Sequence, residues 1–166
     1  FVTYLGWLIP WGTPVTLLGE TAEDVAEAQR EMVRIGIDRP AAAATGGPRE
    51  WAGDGPLASH PVTDLAGLRD RLAAHGDQRI VVLDVRRANE YRSAHLPGAV
   101  HLPLHELLGR LDDVPPGQVW VHCAGGYRAS IAASVLAAAG RDVVAVNDSF
   151  DRADEVGLDL VVSRAA

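Results

Sequence analysis

The sequence has only one cysteine, Cys123, among its 166 residues. A lone thiol excludes an internal disulfide framework and any zinc or iron–sulfur site built from several cysteines. Such a residue is either a small buried apolar side chain or a nucleophile. The function of the chain therefore depends on what surrounds Cys123.

Positive charge is also scarce. Fifteen Lys and Arg residues stand against 22 Asp and Glu residues, which gives a net charge of −7 and an isoelectric point near 5.2. Because nucleic acids and anionic membranes bind positively charged surfaces, neither is expected as a partner. Hydrophobic residues make up 48% of the chain and charged residues 22%, which excludes a disordered chain. The length predicts one domain, or one domain and a fragment.

The first 19 residues carry no charged side chain, so a membrane span has to be considered. Gly6, Pro10, Gly12 and Pro14 would interrupt a helix there, and no basic residues flank the stretch. We expect instead a buried segment with a proline-rich turn, followed by a buried strand over residues 15–18.

Short runs of β-branched residues predict buried strands over residues 80–85, 119–123 and 143–146. The apolar spacing between and around them predicts a helix capped by Thr63 and ended by Gly76, and helices over residues 89–94, 103–111 and 128–139. Alternating strands and helices indicate an α/β fold, with a mostly parallel sheet covered by helices on both faces. Ligands bind at the carboxyl ends of such strands, where Cys123 lies.

Residues 15–45 repeat the pattern of the last fifty residues: a strand, a polar loop, a helix ended by glycine and a second strand. A shift of 104 positions superposes Val15 on Val119, Ala28 on Ala132, Gly36 on Gly140, Asp38 on Asp142 and Ala41 on Ala145. The same shift puts Gly19 at the position of Cys123. We therefore predict that residues 1–57 are a partial, degenerate copy without a nucleophile, and that residues 58–166 form a complete domain.

The segment after Cys123 is suited to stabilising a negative charge. Gly125 and Gly126 allow successive backbone N–H groups to turn inward as an anion-binding nest. The predicted helix adds the positive end of its dipole, and Arg128 adds a permanent positive charge at the rim. These features favour a thiolate nucleophile at Cys123. The alternative is a buried cysteine before a tight turn.

Three motifs resemble one known family. The segment Cys123-Ala124-Gly125-Gly126-Tyr127-Arg128, with Ser130, resembles the active-site loop of rhodanese-type sulfurtransferases. Leu83-Asp84-Val85-Arg86, Glu90-Tyr91 and Ala94-His95-Leu96-Pro97-Gly98-Ala99-Val100 resemble that family's Asp-x-Arg, Glu-Tyr and His-Ile-Pro-Gly-Ala signatures, in the same order. The resemblance covers about residues 58–162 and implies the rhodanese-like α/β fold.

The resemblance implies a double-displacement reaction. Sulfane sulfur would move from thiosulfate or a low-molecular-weight persulfide to a thiol, or to cyanide in vitro, through a Cys123 persulfide. Cys123 and Arg128 would be the catalytic residues, and the persulfide would lie in a loop formed by Ala124, Gly125, Gly126, Tyr127 and Ser130. No cofactor is implied. The six-residue Cys-x4-Arg loop resembles sulfur-transferring members, because the related phosphatases and arsenate reductases use a loop one residue longer.

Asp84 and Arg86 are candidate pocket residues, although an ion pair that orders the Glu90 turn is the favoured interpretation. The family usually has a Gly-Gly…Trp stretch after the last strand, and residues 147–151 (Asn-Asp-Ser-Phe-Asp) replace it here. Since that stretch packs beside the active loop, we expect the shape of the pocket to differ.

The histidines do not indicate a metal site or a general base. His95, His101 and His105 could suggest a metal cluster, but His95 fits the signature turn and the others fall on or near a predicted surface helix, so no metal is predicted. His122 precedes Cys123, yet it should point to the opposite side of the strand. It is therefore a poor candidate for a general base.

The first part of the chain resembles the degenerate middle region of fusions between a metallo-β-lactamase-fold domain and a rhodanese. The resemblance lies in residues 1–18, 36–39 and 46–51. It implies a persulfide dioxygenase domain upstream as a partner, a cytoplasmic location and a role in sulfide metabolism. Because the first residue is Phe1, we also expect a fragment or a processed chain. A non-catalytic interaction module, or a sulfur relay serving that upstream domain, remains the alternative function.

Overall fold

A computed structural model describes residues 1–74 and 80–162. The chain divides into two compact units, Phe1–Ser59 and His60–Ala166. Within the described residues, none of the helices has the length and apolar character needed to cross a membrane.

The first unit contains one parallel β–α–β motif. Its elements are α1 (Val2–Leu8), β1 (Thr16–Gly19), α2 (Ala22–Val33), β2 (Ala42–Thr45) and α3 (Pro48–Ala52). The two strands pair in parallel, with Thr16 opposite Ala42. Helix α2 begins at a capping box, in which the Thr21 hydroxyl accepts from the Asp24 amide and the Asp24 carboxylate accepts from the Thr21 amide.

Two expectations for this unit are corrected. The segment predicted to be buried begins instead with α1, none of whose residues is buried. Pro10 lies beyond the end of this helix and so does not interrupt it. The predicted strand over residues 15–18 lies one residue later, and it is only half buried: Leu17 is 8% exposed, whereas Leu18 is 52% exposed. A two-stranded sheet is too small to bury both faces of its strands.

The second unit is built on a five-stranded parallel sheet with the strand order β3-β8-β7-β4-β6. Its elements are β3 (Val62–Thr63), α4 (Leu65–Ala73), β4 (Ile80–Asp84), α5 (Ala88–Ser93), β5 (Ala94–His95), β6 (Val100–His101), α6 (Leu104–Leu107), β7 (Gln118–His122), α7 (Tyr127–Ala138), β8 (Val143–Val146) and β9 (Val161–Val162). Strands β5 and β9 form a separate antiparallel pair. The mostly parallel α/β fold is as predicted.

The three central strands are apolar between their end residues because both faces of the sheet are covered. Val82, Trp120 and Val144 share one face and pack in a cluster with Leu65 and Leu68 of α4. The buried residues of α7, mainly small, lie outside that cluster, and the helix packs against β7 and β8. Small side chains allow the close approach of helix and sheet that the sequence predicts.

Two details at α4 differ from, or lie outside, the prediction. Its N-cap is Asp64 and not Thr63, because the Asp64 carboxylate accepts a 2.8 Å hydrogen bond from the Gly67 amide. Gly76, the predicted end of the helix, lies outside the described residues.

The two segments related by the 104-residue shift, residues 15–45 and 119–149, are both parallel β–α–β units with a 12-residue helix. Their strand-to-helix connections differ. Two residues, Glu20 and Thr21, join β1 to α2, whereas four residues, 123–126, join β7 to α7. Descent of residues 1–57 from the same fold stays a prediction.

Candidate active site

Cys123 lies at the carboxyl end of the central strand β7, directly before the connection to α7. Its side chain is a free thiol, and the residue is 3% exposed. The segment after β8 holds the connection in place, because the Phe150 amide donates a 2.9 Å hydrogen bond to the Ala124 carbonyl. This segment therefore packs beside the cysteine loop, as the sequence predicts for the stretch that replaces Gly-Gly…Trp.

The two loop glycines have different surroundings. Gly126 is the N-cap of α7 and has a φ of 86°, and its carbonyl accepts a 2.9 Å hydrogen bond from the Ser130 amide. A Cβ atom at Gly126 would overlap the side-chain oxygen of Asn147. At Gly125, in contrast, no atom of the described residues lies within 4 Å of an added Cβ. Only Gly126 therefore requires glycine on steric grounds.

Arg128 is not a free charge at the rim of the loop. Its guanidinium makes a two-pronged ion pair with Glu90 of α5, with N···O distances of 2.7 and 2.8 Å, and its side chain is 12% exposed. The Arg128 hydrogen bonds lower the pKa of Glu90 to about 2. The Glu90 carboxylate also accepts from the Arg87 amide at 3.0 Å. Glu90 therefore joins the start of α7 to the start of α5.

Asp84 and Arg86 form a buried ion pair at the end of β4, as the favoured interpretation of the sequence has it. The side chains are 0% and 5% exposed, and Arg86 Nε and Nη2 donate to the Asp84 carboxylate at 2.6–3.0 Å. Arg86 Nη2 also donates to the Ala94 carbonyl at 2.7 Å. The two side chains thus bind each other, and Arg86 also binds the backbone. The structure does not place either residue on the wall of the cavity described below.

His122, the residue before Cys123, is buried and neutral. Its ring nitrogens have no hydrogen-bond partner among the described residues, and Nε2 lies 3.7 Å from the Asp84 carboxylate. Burial, opposed in part by the attraction of Asp84, lowers the pKa of His122 to about 4. The imidazole stacks on the Phe150 ring, with centroids 5.2 Å apart and planes at 12°.

The other signature histidines flank an aromatic ring. His95 and His101 both stack on Tyr91, at centroid distances of 4.0 and 4.2 Å. His95 Nδ1 lies 2.9 Å from the Tyr91 carbonyl, and His101 Nε2 lies 3.0 Å from the Arg86 carbonyl. In the part of the chain that the structure describes, no three His, Cys, Asp or Glu side chains are grouped to hold a metal.

A cavity of about 340 Å³ borders the cysteine loop. Four of the predicted loop residues line it: Gly125, Gly126, Tyr127 and Ser130. The rest of its wall consists of His60, Val62, Ala145 and Asn147. Sequence reasoning missed His60, Val62 and Ala145, because only the pairing of β3 with β8 brings these residues to the loop.

Cys123 and Ala124 do not line this cavity; Ala124 is half-buried. A larger cavity, of about 640 Å³, lies within the first unit between α1 and the amino ends of the two strands. It contains none of the predicted site residues. The loop between β7 and α7, with its thiol, is therefore the candidate active site of the described chain.

A sequence model of the family described as "Rhodanese-like domain" matches residues 66–153, about half of the chain. The match includes the three signature motifs and the whole cysteine loop.

Two curated relatives share part of this sequence. The "Putative sulfur carrier protein YrkF" of Bacillus subtilis is 36% identical over 61 residues, which are 36% of this chain and 33% of the relative. The "HTH-type transcriptional regulator Rv0324" of Mycobacterium tuberculosis is 33% identical over 74 residues, 43% of this chain and 33% of the regulator. The chain thus spans about a third of the length of each curated relative.

Solved structures show the same fold. The rhodanese-like domain of Alr3790 from Anabaena sp. is 25% identical, with a TM-score of 0.55 over 63% of this chain and 80% of that chain. A rhodanese-related protein of Thermoplasma volcanium, 24% identical, has a TM-score of 0.54 over 61% of this chain and 98% of that chain. CoADR-RHD of Bacillus anthracis, 26% identical, has a TM-score of 0.51 over 58% of this chain and 17% of that chain.

Proposed function

This chain belongs to the rhodanese-like domain family, and from that premise we propose that it transfers sulfane sulfur through a persulfide on Cys123. The observation that carries the proposal is the position of the chain's single thiol. Cys123 ends a central parallel strand and begins the connection to the N-terminus of a 12-residue helix. Backbone N–H groups and the helix dipole at such a place stabilise a sulfur anion.

In the first half-reaction, the Cys123 thiolate attacks the outer sulfur of the donor. A new S–S bond forms at Sγ, and the S–S bond of the donor breaks. With thiosulfate, the bonding electron pair leaves with sulfite; with an organic persulfide, it leaves with the thiolate. The product is a Cys123 persulfide anion, which the backbone N–H groups of the loop stabilise.

In the second half-reaction, an acceptor thiolate or cyanide attacks the outer sulfur of the persulfide. The bond to Sγ breaks, and its electron pair returns to Cys123 as a thiolate. The acceptor leaves as a persulfide or as thiocyanate. No oxidant or reductant is consumed, because one S–S bond is exchanged for another, or for an S–C bond with cyanide.

Arg128 supports this chemistry by fixing the loop more than by direct attraction of the donor. Its two hydrogen bonds to Glu90 hold the first turn of α7 against α5. Because Glu90 offsets most of its charge, we assign Arg128 primarily to the geometry of the loop.

The test is intact mass spectrometry of the reduced protein after incubation with thiosulfate or glutathione persulfide. The matched control is Cys123→Ser, which removes the only thiol in the chain. We expect the parent alone to gain one sulfur atom and to lose it again on treatment with cyanide or a thiol. Absence of any gain with both donors would contradict the proposal.

A second candidate function is that of a sulfur carrier, the class named in "Putative sulfur carrier protein YrkF" of Bacillus subtilis. A carrier that receives sulfur from an upstream persulfide dioxygenase domain would load readily from glutathione persulfide and poorly from thiosulfate. Comparing the two loading rates on the same protein separates the carrier from a thiosulfate sulfurtransferase.

A further inference from the structure

His122, the residue before Cys123, has a fully buried imidazole ring. The residue is 1% exposed, and its ring nitrogens have no partner among the described residues. Leaving a buried polar group poorly paired destabilises the folded state. Only a weak polar interaction with the Cys123 backbone remains to the ring, so the contacts of its faces are what hold it in place.

The imidazole ring of His122 stacks on the phenyl ring of Phe150. The centroids lie 5.2 Å apart with the planes at 12°, within the range of offset aromatic pairs. The guanidinium of Arg86 lies over the same phenyl ring, with its carbon 3.6 Å from the centroid. Arg86 is itself held by Asp84 and by the Ala94 carbonyl. Phe150 is thus fixed by two planar side chains from neighbouring strand ends.

Phe150 in turn holds the loop. Its amide donates to the Ala124 carbonyl at 2.9 Å, one residue after the thiol. Phe150 is 6% exposed and belongs to the hydrophobic cluster around Trp120 and Val144. A shift of Phe150 would therefore move the Ala124 carbonyl, and with it the backbone on which Cys123 depends.

The charged and polar groups that face the His122 ring are the Asp84 carboxylate, the Arg86 guanidinium and the backbone carbonyl of Cys123. Because Asp84 is already bound by Arg86, its attraction for the imidazole across 3.7 Å is partly offset. The flat shape of the ring is the property through which it contacts Phe150.

We propose that His122 is a positioning residue for the Cys123 nucleophile, acting through its stack on Phe150. The inference rests on the proposed function, because it assigns the stack a role in the reaction of the thiol. A reacting group has to be held within about 0.5 Å of its productive position, and a displacement of about 1 Å can lower a rate about a hundredfold. The stack supplies that restraint through Phe150, whose amide binds the Ala124 carbonyl.

The test compares His122→Phe, which keeps a flat ring, with His122→Leu, which fills a similar volume without one. The matched control is His95→Leu, which removes another histidine stack, on Tyr91, in the same unit. For each variant, circular dichroism first establishes folding. The rate at which iodoacetamide alkylates Cys123 is then measured, because that rate does not depend on sulfur transfer.

We expect His122→Leu to slow alkylation at least fivefold, and His122→Phe and His95→Leu to remain within twofold of the parent. If the parent takes up sulfur, His122→Leu should lower the maximal rate of persulfide formation, while the half-saturating donor concentration changes less than twofold. A folded His122→Leu protein that alkylates like the parent would overturn the proposal. So would a His122→Phe protein as slow as His122→Leu. A parent that alkylates as expected but never takes up sulfur would contradict the proposed function alone.

Discussion

From the sequence, Arg128 is a permanent positive charge beside a thiol, available to an anionic donor. In the structure, the Arg128 guanidinium is bound by the Glu90 carboxylate through two hydrogen bonds. These hydrogen bonds lower the pKa of Glu90 and keep it ionised. The partner lies 38 residues away in the chain, so only the packing of α5 against the loop could reveal it. The role of the arginine changes accordingly from attraction to support.

Replacing Glu90 by Gln tests this support. The change keeps one acceptor but removes the charge, so we expect the free energy of unfolding to fall by about 1–2 kcal/mol and alkylation of Cys123 to slow. Chemical denaturation measures the first effect and iodoacetamide the second. The control is Glu106→Gln, which breaks an exposed pair with Arg110 and should cost much less stability, because solvent screens exposed charges. Equal losses in both variants would argue against a special role for Glu90.

The loop glycines give a matched pair of substitutions. Gly126→Ala places a Cβ against Asn147 at a φ of 86°, so we expect a loss of about 1–3 kcal/mol in stability. Gly125→Ala adds the same atom in open space and should change stability by less than about 0.5 kcal/mol. Denaturation curves of the two variants check the difference, and equal stabilities would contradict the described loop.

His122 predicts an acid-sensitive contribution to stability. Its pKa is about 4 in the folded protein and 6.5 in the unfolded chain, so between these pH values only the unfolded state binds the proton. Stability should therefore fall as the pH is lowered from 6.5 to 4, by about 3 kcal/mol, and this contribution should not change further below pH 4. The charged groups that face the ring are Asp84 and Arg86, which form a buried ion pair. Denaturation of the parent and His122→Phe at several pH values should show a steeper loss in the parent; parallel curves would contradict the assignment.

At the scale of elements, the connection between strand and helix decides where chemistry is possible. Strand β7 and helix α7 are joined by four residues, enough to form a loop with its own backbone geometry. Strand β1 and helix α2 are joined by only two residues, Glu20 and Thr21. Thr21 is the N-cap of α2, so the connection has no room for a separate loop. The sequence alignment places Gly19 at the position of Cys123, but it does not show that the loop around Gly19 is missing.

A cysteine at position 19 should therefore not create a second site. A Cβ there would lie 2.9 Å from Val25 Cγ2 and 3.3 Å from Asp24 Cβ, so Gly19→Cys should lower stability by about 1–3 kcal/mol. In a Cys123→Ser background, we expect no gain of sulfur from either donor by mass spectrometry. A persulfide on this variant would show that the long loop is not required.

At the scale of the whole molecule, the net charge of −7 opposes the approach of an anionic donor. Arg86 and Arg128 do not fully offset it, because both are bound to carboxylates. At an ionic strength of 0.1 M, salt screens this repulsion at distances beyond about 10 Å. We therefore expect persulfide formation from thiosulfate to become about two- to fivefold faster between low and physiological ionic strength.

Alkylation by the neutral reagent iodoacetamide is the control for that experiment, and its rate should not change with salt. Stopped reactions followed by mass spectrometry measure both rates on the same protein. A thiosulfate rate that falls with added salt would show instead that a positive field surrounds the loop.

The sequence by itself determined the parallel α/β class, the position of the thiol at a strand end and the family, because apolar periodicity and short motifs are local properties. It also predicted three central strands whose bounds differ from the structure by one residue at most. Tertiary structure alone decided which groups bind the loop. The Glu90 carboxylate and the Phe150 amide reach Arg128 and Ala124 only after distant segments pack together, and a contact between segments leaves no periodic signal in either one.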